Sequence, residues 1–287
     1  MTNTSVRSSR RGFTLIELIV GVVIFAIIGA LMTQLIQTQG RYYDRQGMSN
    51  SARNVSRASL NRVISDFRMI EASGGVVAAS PTSLTLRIPY AIGIECGDSS
   101  TTSHLTLLPV DSETFARATF YGYAWRSALT GIYTYVEVGT SQAAAGPTIC
   151  NGVLVTTVPG GSIARVSPVL PIGAGLGTPV FLYSKIRYEF KASVLLPGKI
   201  GLYRTVIAPS GAETTEELVA PFASTAGWKF FTLNGGSVAQ AAAPADLTTM
   251  RGLELHFDGT SVSNAVTKLA PETAPFTTSV FFKNRTN

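Results

Sequence analysis

Arg10-Arg11-Gly12-Phe13-Thr14-Leu15-Ile16-Glu17 decides how the rest of this chain is read. A leader carrying Arg7, Arg10 and Arg11, and no acid, runs into glycine, then phenylalanine, then a long apolar stretch. Glu17 sits inside that stretch, and from Leu18 to Gly40 there is no other charge. An ionised group in a membrane helix costs roughly 2.5–3.5 kcal/mol on insertion scales. It persists only where something offsets that cost, so Glu17 calls for a partner. A buried charge is tolerated mainly when it is paired.

The run Gly12-Phe13-Thr14-Leu15-Ile16-Glu17 resembles, at every position, the class III signal of type IV pilins, pseudopilins and competence pilins. The resemblance implies that a membrane aspartyl enzyme, the prepilin peptidase, cuts between Gly12 and Phe13 and N-methylates Phe13. It also implies that Glu17 pairs with the terminal ammonium of a neighbouring subunit and aligns it for assembly. Segments farther on are similar to the J- and W-type minor pilins. They are Asp66-Phe67-Arg68, the 183–190 segment followed by Gly201-Leu202-Tyr203-Arg204, and Leu253-Glu254-Leu255-His256-Phe257 followed by Phe282-Lys283-Asn284-Arg285. The length of 287 residues also fits a minor subunit better than a major one.

Two plainer readings explain less. A secretory signal peptide has an apolar core of about 7–15 residues and a small-x-small cleavage site. The run here is longer, and Ile27 and Ile28 stand where the second small residue before Gly29-Ala30 should be. A simple membrane anchor fits residues 18–36, about 28 Å long as a helix and close to the thickness of a bilayer core. That reading leaves Gly12 and Glu17 unexplained. In either membrane reading the positive-inside rule keeps the arginine leader in the cytoplasm. The expected location is the bacterial inner membrane before assembly, then the periplasm or an extracellular pilus.

The formal charge of +6 is misleading, because removing the three leader arginines lowers it to +3. That is too weak to argue for nucleic-acid binding by itself. Cys96 and Cys150 are an even pair in a domain expected outside the cytoplasm, and a disulfide between them is the expected state, with two buried thiols as the alternative. Such a bond would close a loop of about 55 residues, worth roughly 4 kcal/mol in the chain-entropy model.

Helical spacing continues past Gly40. Ala52, Val55, Ser59, Val63, Phe67 and Ile70 recur every three or four residues, and no proline precedes Pro81. One helix is expected from 13 to 72, stopped by Ser73-Gly74-Gly75 and weakened at Gly21, Gly29, Gly40 and Gly47. From Val76 the period becomes two, with β-branched and aromatic residues. Strands are expected at 83–88, 104–108, 119–125, 132–138, 152–158, 179–190, 200–207, 229–233, 252–257 and 278–283. The expected fold is α+β, with a long helix on a β-rich head. Its expected divisions are a leader (1–12), a membrane or filament-core segment (13–36), the outer half of the helix (37–75) and the head (76–287). A linker-like stretch at 159–177 suggests two lobes within the head.

No catalytic signature stands out. His104 and His256 are far apart, there is no HExxH, Cys-x-x-Cys or G-x-S-x-G, and no cofactor or metal is expected. Gly173-Ala174-Gly175-Leu176-Gly177 lacks phosphate-loop spacing, and Glu216-Glu217 reads as a solvated pair. Arg41 and Arg45, just past the apolar run, are candidates for contact with lipid or with other subunits. The expected function is a non-enzymatic minor pilin of a pilus filament or its initiating tip. Its expected partners are the prepilin peptidase, the inner membrane and other pilin or pseudopilin subunits. The alternatives are a minor pseudopilin of a type II secretion system, or a tip-displayed module binding DNA or a surface ligand.

Overall fold

A computed structural model describes residues 14–71, 73–127, 130–137, 139–143, 149–150, 153–154, 160–171, 174–233, 235–262 and 270–282. Helix α1 runs unbroken over Leu15–Arg68. It ends four residues earlier than the spacing suggests. Met69 N–H and Ile70 N–H turn back to the carbonyls of Asp66 and Phe67, three residues behind, and this tightens and closes the last turn. The chain reverses at Gly74, whose φ of +83° favours glycine.

The head follows. Its first part holds β1 (Val76–Ala79), β2 (Ser83–Asp98), β3 (Ser103–Leu107), α2 (Pro109–Arg117), β4 (Gly122–Arg126), β5 (Tyr133–Glu137), β6 (Thr140–Ala143), β7 (Ile149–Cys150), β8 (Val153–Leu154) and β9 (Ser162–Ser167). Next come β10 (Pro179–Ala192), β11 (Ile200–Ile207), β12 (Glu213–Phe222) and β13 (Gly227–Thr232). The last strands are β14 (Met250–His256), β15 (Gly259–Thr260), β16 (Thr273–Ala274) and β17 (Thr277–Phe281). The main sheet runs β16-β15-β12-β11-β10-β2-β3-β9-β6, with β1 paired to β2 and β4–β5 joined to β10. A second sheet, β13-β14-β17, is antiparallel too. The layout is α+β, a long helix on a β-rich head.

The larger core lies where α1 meets both sheets. Val63, Phe67 and Ile70 are fully buried against Leu84 and Leu86 of β2, Tyr188 and Phe190 of β10, and Trp228, Leu253 and Phe257. The Phe67 ring meets Tyr188 and Trp228, each at 5.4 Å between centroids. Burial of each such side chain stabilises the head by about 1.5–3 kcal/mol. Lower on the helix, Ser56 Oγ accepts from Gly259 N–H at 3.0 Å. A methyl group at Gly259 would lie 2.3 Å from the Ala52 carbonyl oxygen, so β15 reaches the helix this closely only as glycine. A second core, formed by residues between Ala91 and Leu182, gathers Leu105, Tyr123, Val166 and Val180.

The strand at 200–207 appears with the expected bounds, and most others shift by one to three residues. The short strands β1, β6, β7, β15 and β16 were not expected, and four further differences are larger. Helix α2 replaces what period-two reading left as loop; Pro109 takes its first turn, where a missing N–H costs nothing. Part of the 159–177 stretch is β9, a strand of the main sheet. Strand β12 was not expected, because Glu213, Glu216 and Glu217 hide its pattern; most of its outer side is an open sheet edge, where charge is tolerated. In β2, Leu84, Leu86 and Ile88 face inward, but a bulge against Leu182/Tyr183 of β10 flips the parity. Beyond it Ala91, Gly93 and Glu95 point in, while Ile92 and Ile94 point out.

Candidate functional site

The first turn of α1 is built by a reciprocal cap. Thr14 Oγ1 accepts from Glu17 N–H at 3.4 Å, while Glu17 Oε2 accepts from Thr14 N–H and from its hydroxyl, both at 2.9 Å. Sequence reading gave Glu17 an intermolecular role and missed this local one, although Thr-x-x-Glu before an apolar run is its signature. Both Thr14 bonds go to Oε2. Among the described residues Oε1 has no hydrogen-bond partner, so the carboxylate keeps one free face at the exposed end of the helix. Gly12 and Phe13 lie outside the described residues.

Beyond Glu17 the helix is bare. The apolar side chains from Leu15 to Ile36 stand largely exposed, and a window of this helix reaches a mean hydropathy of 2.8 with none of it covered by the head. An apolar surface of this size demands a cover, either lipid or other apolar helices. It is long and apolar enough to cross a membrane. At its outer end Tyr42 and Tyr43 are exposed beside Arg41 and Arg45. Aromatic rings and basic heads together suit the polar boundary of a bilayer; sequence reading named the arginines and passed over the tyrosines. Neither arginine forms an ion pair among the described residues.

The family model described as the prokaryotic N-terminal methylation motif matches residues 7–33. The chain carries a prepilin-type signal. This signal marks a pilin- or pseudopilin-type substrate of prepilin peptidase and implies assembly with other pilin subunits. No curated protein and no solved structure matches the chain.

The other residues singled out from sequence fall elsewhere. Cys96 on β2 and Cys150 on β7 have their sulfurs in contact and their Cα atoms 5.2 Å apart, inside the range a disulfide spans. His104 lies on β3 of the main sheet and His256 on β14 of the smaller one, where its Nε2 is 2.6 Å from Glu254 Oε1. Among the described residues no three His, Cys, Asp or Glu side chains converge as a metal site. Tyr121 and Tyr123 are core residues; Tyr133 and Tyr135 are half-buried beside them, packed with Tyr183 and the Arg87–Glu137 ion pair. Burial, and then the Asp66 carboxylate, pushes the Tyr188 hydroxyl well above its usual range; that hydroxyl donates to Asp66 at 2.5 Å and ties α1 to β10.

Glu217 needs a correction. It is not a solvated partner of Glu216. Its carboxylate accepts from the backbone N–H groups of Val194 and Leu195, from Tyr203 Oη–H at 2.7 Å and from the Ser193 hydroxyl. Burial raises its pKa, but these four donors together outweigh burial and hold it below the usual carboxylate range. Glu216 does face solvent, 3.8 Å from Arg62 of α1.

Proposed function

We propose that this chain is a minor type IV pilin, a structural subunit of a pilus filament or of the complex that initiates it. The observation that carries the reading is Glu17. It is the single charge in a bare apolar helix, with one carboxylate oxygen free, four residues after the Gly12–Phe13 junction. In this reading the peptidase removes residues 1–12 and methylates Phe13. The subunit waits in the inner membrane with residues 13–36 as its span. The Phe13 ammonium of one subunit then pairs with Glu17 of the next, and the bare helices cover one another in the filament core. Residues 37–75 and the head at 76–287 stay outside the membrane. Within the head we propose two lobes, each around its own core, with 91–182 as the second and β2 and β10 shared between them.

Intact mass and N-terminal sequencing of protein from native membranes and sheared filaments test this reading. A chain starting at N-methylated Phe13 is expected, and its recovery in the sheared fraction separates a pilus from an envelope-bound pseudopilus. An intact leader, in cells that process other prepilins, overturns it. The Cys96–Cys150 bond belongs to the same proposal, since it requires the oxidising side of the membrane. Denatured, unreduced protein should show no titratable thiol. Two free thiols would remove the bond.

A further inference from the structure

A cavity of about 300 Å³ lies between the last turn of α1 and the end of α2, at the seam of the two cores. Its floor is apolar. Ile88 of β2, Ile186 of β10 and Val206 of β11 lie close together on the sheet, because Ile186 pairs with Val206, and Ile88 pairs with Ser184 two places along β10. The bulge in β2 leaves Tyr90 without a partner on β10, and Tyr90 lines the same cavity. Bulges re-aim side chains beside functional sites more often than elsewhere in a sheet. Seams between packed units are also where ligand cavities concentrate.

Both walls are tied to the sheet, so the cavity is preformed. The Tyr188 hydroxyl holds Asp66 of α1 at 2.5 Å, and Ser184 Oγ donates to the Thr119 carbonyl at 2.6 Å. Asp111 Oδ1 accepts from Ile92 N–H at 2.8 Å and fixes α2 to β2 just past the bulge. The polar groups on the walls are only partly used. Arg204 Nε donates to Tyr188 Oη at 3.3 Å and stands 3.7 Å from Asp66 Oδ2. Among the described residues neither Nη of Arg204 has a hydrogen-bond partner, and neither does Asp66 Oδ1. A fork of donors and a carboxylate acceptor therefore stand side by side beside an apolar floor. The charges cancel: Arg204 lies by Asp66, and Arg117 at the rim pairs with Glu113 at 2.8 Å. Such a cavity suits a neutral ligand that both donates and accepts.

We propose that this cavity binds one ring of a saccharide. Adjacent hydroxyls of the sugar accept from the Arg204 fork and donate to Asp66 Oδ1, and its C–H face lies on Ile88, Ile186 and Val206. The volume is at the low end of ligand cavities, which span roughly 300–1,000 Å³, so it admits a single ring and not a longer stretch of chain. A carboxylate would gain the Arg204 fork, but Asp66 beside it repels a second negative charge. The site is independent of the assembly reading above, because every group in it belongs to the head or to the last turn of α1.

The test is ligand-observed saturation-transfer NMR on the full chain in micelles of a sugar-free detergent. The probes are the methyl glycosides of glucose, galactose, mannose and N-acetylglucosamine, with acetate as the anionic control. At least one glycoside should take up saturation from the protein. Arg204→Lys keeps the charge beside Asp66 but loses the planar fork, and should weaken that binding at least about fivefold. Ala118→Leu puts a larger side chain on the cavity wall and should abolish it. Thermal unfolding followed by tryptophan fluorescence checks that each variant is folded. Saturation of no glycoside overturns the proposal. Acetate bound with no glycoside also overturns it and gives the fork to a carboxylate. Glycoside binding unchanged in both variants places the contact elsewhere and overturns the site.

Discussion

Glu17→Ala should give a chain that is still cut and methylated at Phe13, yet its amount in sheared filaments should fall at least about a hundredfold. Removing one partner of a buried charge pair costs about 3–5 kcal/mol, because the other charge is left unpaired in an apolar surround. Each 1.4 kcal/mol is about tenfold in an equilibrium, so the loss reaches two to three powers of ten. Glu17 also caps its own helix through Thr14, and removing a cap costs about 1 kcal/mol. Glu17→Gln separates the two roles. Its amide oxygen can still accept from Thr14, but it carries no charge for a neighbour's ammonium. If the pairing is right, Glu17→Gln assembles almost as poorly as Glu17→Ala. If the cap is what matters, Glu17→Gln assembles nearly normally. Immunoblots of sheared and membrane fractions, with the N-terminus of each confirmed by mass, decide between them. Normal incorporation of Glu17→Ala would sink the proposed pairing.

The long helix was readable because two local rules agree along it. Apolar residues without charge mark its first half, and recurrence at three and four marks its second. The stripe at Ala52, Ser59, Val63, Phe67 and Ile70 is the face that packs on the head, with Ser56 completing it. Strands such as Ile200–Ile207 were readable because β-branched and aromatic residues run between glycine- and proline-rich turns, although Leu202 and Tyr203 bury both faces of this one. What escaped depends on partners distant in sequence. The acids of β12 look solvated until the 193–199 turn is folded over Glu217. The bulge in β2 is set by its pairing with β10, about ninety residues away, so no reading of 83–98 alone could know that the strand changes face partway. The expected strand stopped at 88; in the ten residues that continue it Ile92 and Ile94 are surface, at 43% and 42% exposed, while Glu95 is buried.

Glu95→Gln should stabilise the head at pH 8 by up to about 3 kcal/mol and flatten its pH dependence. Glu95 is 2% exposed, neither carboxylate oxygen meets a donor among the described residues, and the polar group set against it is a second carboxylate, Asp98. Burial, and then the charge of Asp98, raises its pKa from 4.5 to about 7. A group whose pKa is raised by folding binds its proton more tightly in the folded chain. Its stabilising effect is complete below about pH 4.5 and is lost as the pH rises through about 7. A difference of that size, at about 1.36 kcal/mol per unit, gives the limit of about 3 kcal/mol. The natural head should therefore weaken between about pH 5 and pH 8, opposite to a carboxylate held in a salt bridge. Glutamine keeps the shape and stays neutral, so the two proteins should be similar near pH 5 and diverge toward pH 8. Urea unfolding of the full chain in micelles, followed by the fluorescence of the buried Trp125 and Trp228, measures both curves. A natural protein whose stability rises over that range, or a Glu95→Gln chain that is weaker at pH 8, would mean that Glu95 is ionised and paired. The bulge in β2 would then position a charge for a partner, where the present geometry turns the carboxyl group into the core by a change of strand parity.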